Sequence, residues 1–255
     1  MVMAEATNHY FKHLGVSDGL SQVCIPSIYQ DELGAVWLGT TEGLNRYNGK
    51  DVKVFQPSES NNGLTNNEVN ELCGDKNGRM YIRSGNDLIK LDIYTEQFTC
   101  LRQKGVYGLF CKKDTLWVSC ADGIYYYTGQ GTELTFFARV QKGFVGRALY
   151  VDKETVWVVT RKYLVAISRE DPLRQEILLT LDKGNCILGD SSGNIWVGAW
   201  NGLYRISPDR ETTAYVSHSG MGELSDNQVR CVLEDDFKHI WVGTFKGCLL
   251  YTSDA

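Results

Sequence analysis

A phrase centred on an aromatic residue returns six times along this chain, and that recurrence constrains its fold more than any other feature. The copies are WLGTTEGLNRYN from Trp37, YIRSGNDLIKLD from Tyr81, WVSCADGIYYY from Trp117, WVVTRKYLVAIS from Trp157, WVGAWNGLYRIS from Trp196 and WVGTFKGCLLYT from Trp241. Successive anchors stand 44, 36, 40, 39 and 45 residues apart. Self-similarity at about 40 to 45 residues, with four short strands per period, marks a β-propeller. The expectation is an all-β chain of six recognisable four-stranded blades, as a closed six-blade ring or as an incomplete seven-bladed propeller. Any chemistry must then come from residues that differ between equivalent blades.

The fifth period shows how one repeat becomes one blade. Asn185 to Gly189 is a short, mostly apolar inner strand, and Asp190-Ser-Ser-Gly193 is a turn with Asp first and Gly last. Ile195 to Gly198 and Leu203 to Ile206 supply two further strands, and Thr212 to Ser217 the outermost. The turn recurs from Asp31 to Gly34 and from Asp75 to Gly78, each with its aromatic anchor six residues after the Asp. Asp235 keeps that distance to Trp241, but Lys238 replaces the glycine. A four-stranded sheet cannot bury both faces alone, so Trp37, Tyr81, Trp117, Trp157, Trp196 and Trp241 read as structural anchors that stack one blade on the next. Residues 1–9 stand outside the repeats as a disordered or vector-derived N-terminus, and the propeller domain runs over 10–255. Because the chain opens on an outer strand (Tyr10 to Leu14) and stops after a third, the N-terminal strand is expected to pair with Cys248 to Tyr251 and complete the last blade.

The chain carries 31 acidic and 26 basic residues, a net charge of −5, which argues against a nucleic-acid surface. No apolar run approaches the roughly 18 to 20 residues that cross a bilayer. The first residues show no basic segment followed by an apolar one, so no signal peptide is visible; the chain is cytosolic or begins after its signal. The eight cysteines are scattered without a C-x-x-C, and the four histidines fall at no ligand spacing. The cysteines read as free thiols acting as small buried hydrophobes, with no metal and no cofactor implied.

Gly-Leu-Ser/Thr-x-Asn-x-Val, followed by Asp-x-x-Gly-x-Ile/Leu-Trp-Val/Leu-Gly-Thr and Gly-Leu-x-Arg-Tyr, resembles the two-component regulator propeller repeat. The first blade has it almost whole, through Gly19, Asp31, Gly34, Trp37, Gly39, Thr40, Gly43, Leu44, Arg46 and Tyr47. That resemblance implies the periplasmic sensor region of a bacterial hybrid two-component histidine kinase that controls polysaccharide-use genes. It implies a seven-bladed ring, usually one of two in tandem, with an immunoglobulin-like β-domain, a membrane helix and a kinase elsewhere in the parent protein. The partners implied are an oligosaccharide ligand, the other propeller and β-domains of the parent chain, and a homodimer of the full-length sensor, with no nucleic acid or membrane contact by this segment. Without kinase motifs the chain itself is expected to be non-catalytic.

Strand direction alternates within a blade, so the turn between second and third strands shares a face with the crossing to the next blade. That face collects Thr41-Glu42, Gly85-Asn86, Ala121-Asp122, Lys162-Tyr163, Trp200-Asn201 and Phe245-Lys246. Trp200, Phe245 and Tyr163 are aromatic at positions with no core duty, suited to the flat C–H face of a sugar ring. Arg161, Lys162, Asn201 and Lys246 would bind hydroxyl or uronate groups, while Asn66, Asn67 and Asn227 in the crossings read first as loop formers and second as ligand contacts. The rival functions are a cytosolic scaffold of the WD-repeat kind and a propeller lyase. The lyase would need a His and acidic cluster at the central mouth, for which His9, His13, His218 and His239 are poorly placed.

Overall fold

The computed structural model describes residues 13–57, 63–102, 104–129, 131–217 and 224–251. They form six antiparallel blades with almost no helix, the arrangement of a six-blade propeller. Blade one is β1 (Ser27–Gln30), β2 (Val36–Thr40), β3 (Gly43–Tyr47) and β4 (Val52–Phe55). Blade two is β5 (Val69–Gly74), β6 (Arg79–Ser84), β7 (Asp87–Asp92) and β8 (Gln97–Arg102). Blade three is β9 (Val106–Lys112), β10 (Thr115–Cys120), β11 (Gly123–Tyr127) and β12 (Thr135–Ala138). Blade four is β13 (Gly146–Val151), β14 (Thr155–Thr160), β15 (Tyr163–Ser168) and β16 (Gln175–Thr180). Blade five is β17 (Cys186–Gly189), β18 (Ile195–Ala199), β19 (Gly202–Ile206) and β20 (Thr212–Tyr215). The described part of blade six holds β21 (Val229–Glu234), β22 (Ile240–Thr244) and β23 (Gly247–Tyr251). In every blade the strands pair in chain order. The N-terminal strand expected beside β23 lies outside the described residues, apart from His13 and Leu14, which take no strand geometry.

The turn between the first two strands explains why Asp stands six residues before Trp. In blade five, one Asp190 oxygen accepts the backbone N–H groups of Ser192 (3.0 Å) and Asn194 (2.7 Å), and the other accepts the Trp196 indole N–H at 2.8 Å. The indole bond recurs from Trp37 to Asp31 at 2.7 Å, from Trp157 to Asp152 at 2.6 Å and from Trp241 to Asp235 at 2.8 Å. In blade two, Tyr81 has no indole N–H, and the Arg79 guanidinium takes the free oxygen of Asp75 instead. The backbone asks for a left-handed residue at the fourth turn position, with φ of 84° at Gly34 and Gly78 and 85° at Gly193. Lys238 adopts φ 65° there, a strained choice for a residue with a Cβ.

Each anchor then packs on the blade that follows it. Trp37 joins Leu72, Met80 and Ile82 of blade two, and Tyr81 joins Leu109, Leu116 and Val118 of blade three. Trp117 packs with Leu149, Val156 and Val158, Trp157 with Ile195 and Val197, and Trp196 with Val229, Ile240 and Val242. These five rings are at most 6% exposed, whereas Trp241 is 40% exposed. Glycine after the anchor makes the stacking close: a Cβ on Gly198 would stand 2.6 Å from Val229 of the next blade.

Inner strands pack in sequence, β1 on β5, β5 on β9, β9 on β13, β13 on β17 and β17 on β21. Among the described residues no comparable packing returns from β21 to β1. The two faces on either side of that break are partly bare. Leu233, Trp241 and Leu250 are cross-strand neighbours on blade six and all exposed, as are Ile28 and Val54 on blade one. No helix among the described residues is long and apolar enough to cross a membrane.

Candidate ligand-binding site

Backbone hydrogen bonds place the turns between second and third strands on the same face as the crossings, as the strand alternation requires. Gly43 N donates to Asn67 O, Gly85 N to Glu68 O, Ala121 N to Gly105 O, Trp200 N to Asp182 O and Phe245 N to Gln228 O, all within 3.0 Å. The Thr that ends the second strand fixes the turn locally. Thr160 Oγ1 donates to Tyr163 O at 3.0 Å and accepts from Tyr163 N at 2.9 Å, and Thr40 and Thr244 likewise donate to Gly43 O at 2.8 Å and Gly247 O at 2.9 Å. Residues at the turn tip, such as Arg161 and Lys162, therefore project from a rigid base.

Between blades three, four and five this face opens into a cavity of about 650 Å³. Its walls are Tyr107 of β9, Phe144 and Val145 of the crossing into blade four, Arg147 of β13, Arg161 and Lys162 of the blade-four turn, and Leu181 to Lys183 of the next crossing. That volume suits an oligosaccharide-sized or drug-sized ligand. Phe144 is held by a tilted ring contact with Tyr163, centroids 4.9 Å apart and planes at 48°. A second cavity, of about 420 Å³, runs along the inner strands and shares Tyr107 and Arg147 with the first. Glu71, Arg83, Asn185 and Arg230 line it. Burial pushes the Glu71 carboxyl up to about 7 despite Arg83, whose Nε lies 3.3 Å from it, and a backbone bond from Leu109.

Of the residues singled out in the sequence, Arg161 and Lys162 line the larger cavity and Tyr163 buttresses its wall. Trp200 stands beside it, with Lys183 Nζ over its ring at 3.4 Å. Arg230 draws Trp200 and Phe245 together, its guanidinium 5.5 Å and 5.6 Å from their ring centroids. Asn201 is occupied in holding loops, accepting from Asp182 N at 3.0 Å and donating to the Tyr204 hydroxyl at 2.7 Å. Lys246 lines neither cavity and is paired with Asp226 at 3.5 Å. The crossing asparagines hold loops in place: Asn66 accepts from Glu68 N and Asn227 from Ser217 N within their own crossings, and Asn67 donates to Glu42 of the blade-one turn. Asn66 and Asn67 are in the crossing from blade one to blade two and line neither cavity.

Sequence reasoning passed over Tyr107, Phe144, Arg147, Lys183 and Arg230. Arg147 and Arg230 sit near the start of their inner strands, in runs that read as core, and one signal was available: a charged residue at an inner-strand position. Among the described residues no three His, Cys, Asp or Glu side chains gather as a metal site.

The family model described as the two component regulator propeller matches residues 223–246. This chain carries that propeller repeat. A histidine kinase P4 of Formosa agariphila is 40% identical over 53 residues, 21% of this chain and 4% of that protein. The extracellular domain of a hybrid two component system of B. thetaiotaomicron superposes with a TM-score of 0.72 at 20% identity, over 94% of this chain and 41% of that one. The repeat-bearing chain thus spans about two-fifths of that structure's length, and in fold it is like that extracellular domain. Virginiamycin B lyase of Staphylococcus aureus superposes at 0.69 with 13% identity, over 91% of this chain and 82% of that one. The propeller alone, then, does not separate a sensor from an enzyme.

Proposed function

We propose that this chain is the ligand-sensing propeller of the extracytoplasmic, periplasmic region of a hybrid two-component sensor histidine kinase, and that it takes an oligosaccharide on its loop face. The observation that carries the reading is the cavity of about 650 Å³ walled by Tyr107, Phe144, Arg147, Arg161 and Lys162, with Trp200 at its border. Flat rings meet the apolar face of a sugar, and flexible cationic heads reach its hydroxyl and acidic groups. The chain contributes binding and no catalysis. Ligand capture would shift the arrangement of this propeller against other domains of the parent protein, and so the kinase that governs polysaccharide-use genes. Such coupling requires the ligand to bind the two arrangements with different affinity.

Isothermal calorimetry of the chain against a panel of plant and host oligosaccharides tests the reading. Saturable binding that Trp200→Ala weakens while melting is unchanged is the expected result. A folded chain that binds no saccharide in the panel would remove it.

A further inference from the structure

The chain is acidic overall, yet the charged side chains around its two joined cavities are mostly cationic. Arg147, Arg161, Lys162 and Lys183 line the larger cavity with Asp182 as the one acidic residue. Arg147 recurs in the smaller one beside Arg83 and Arg230, where Glu71 is already paired with Arg83. Among the described residues, Arg147, Arg161, Lys162, Lys183 and Arg230 have no carboxylate within ion-pair distance, while most other arginines of the blades do. A chain with 31 acidic residues has ample means to neutralise these groups and does not. Several like charges facing one concavity repel one another, an arrangement that an anion relieves.

We infer that the site selects an acidic glycan, one whose sugar rings carry carboxylate or sulfate groups, with Arg147 and Arg161 as its principal anion contacts. This inference rests on the proposed sugar-binding function and narrows it. Guanidinium groups bind carboxylate and sulfate in a two-pronged geometry, and Tyr107 and Phe144 offer the ring faces between them. A neutral sugar would leave the cations unpaired; an acidic one gains charge-assisted hydrogen bonds at the same places.

The test is calorimetry at 50 mM and 500 mM NaCl with four probes and a control: a heparin-type sulfated hexasaccharide, a galacturonate hexamer, cellohexaose, inorganic sulfate and single-stranded oligo-dT. The expected result is binding of one or both acidic hexasaccharides at least about tenfold tighter than cellohexaose at low salt, weakening steeply at high salt. Whichever acidic probe binds identifies the group as sulfate or carboxylate. Arg147→Ala with Arg161→Ala should remove at least about tenfold of that affinity, with melting unchanged because both side chains are exposed. Equal or tighter binding of cellohexaose overturns the acidic preference and leaves the sugar-sensing function standing. Oligo-dT or inorganic sulfate binding as tightly as the hexasaccharides overturns it by showing a general anion patch. Failure of all saccharides overturns both readings.

A separate observation concerns Cys73 and Cys111, on the adjoining inner strands β5 and β9. Their Sγ atoms stand 2.6 Å apart, inside the contact distance of two thiols and close to the bonded separation of about 2.05 Å. The geometry points to a disulfide that staples blade two to blade three in an oxidising compartment. Each thiol gives up one proton and one electron, and a disulfide donor such as oxidised glutathione takes up both protons and both electrons to become two thiols as the Sγ–Sγ bond forms. After incubation with oxidised glutathione, the folded chain should lose the mass of two hydrogens, apart from glutathione adducts on the exposed Cys24, Cys100, Cys231 and Cys248. Its digest should contain a Cys73–Cys111 linked peptide, its melting point should rise, and Cys73→Ala should abolish all three changes. Recovery of both cysteines fully alkylated from the oxidised, folded chain overturns the staple, as does linkage of Cys73 to any other cysteine.

Discussion

Replacing Asp190 by alanine removes the acceptor of the Trp196 indole N–H and the cap on the backbone of Ser192 and Asn194 in one step. A buried donor left unsatisfied costs about 1 to 3 kcal/mol, and urea unfolding of Asp190→Ala should show a loss in that range. At the equivalent turn of blade six the sign reverses. Lys238 holds φ 65° where other blades use glycine, so Lys238→Gly should raise stability by up to roughly 1 kcal/mol in the same assay. Glu71 adds a pH dependence. Its folded-state carboxyl titrates near 7 because of burial, above its unfolded value, with Arg83 and the Leu109 backbone opposing the shift. Between about pH 4.5 and 7 the native state therefore binds more protons than the unfolded one, and stability falls as pH rises through that window. Urea midpoints measured across it should decline, and Glu71→Gln should flatten the decline.

At the scale of the element, each anchor belongs energetically to the blade after its own. Trp196 is 5% exposed against Val229, Ile240 and Val242, so Trp196→Ala should cost roughly 3 to 5 kcal/mol. Trp241 keeps its bond to Asp235 but is 40% exposed, and Trp241→Ala should cost well under half as much by chemical unfolding. Equal losses would show that blade six is covered in solution. The same bare face, Leu233 beside Trp241 beside Leu250, should bind the dye ANS in the native state, and Trp241→Ser with Leu250→Ser should reduce that fluorescence.

For the molecule as a whole, the repeat spacing was enough to read six blades, their strand order, the Asp-led turns and the shared face of turns and crossings. Those features follow from local rules: strand alternation, turn chemistry and one large ring per period act over a few residues and survive without knowledge of neighbours. The six-residue interval from Asp to Trp was visible too, although the hydrogen bond that sets it was not. The site was legible only in part. Arg161, Lys162 and Trp200 lie at turn tips and Tyr163 opens the strand after one, where sequence position alone predicts projection from the face. Arg147 and Arg230 sit within inner strands, and Phe144 and Lys183 in crossings, so their convergence depends on how far one blade rotates from the next. That rotation is decided by the packing of Trp117 and Trp157 on the following blades, a contact between residues tens of positions apart. Trp241 makes the same point: its phrase matches the buried anchors, yet its exposure is settled by what stacks against blade six. What the chain alone determined was the blade and its period; which side chains meet, and which faces stay open, was left to the stacking of one sheet on another.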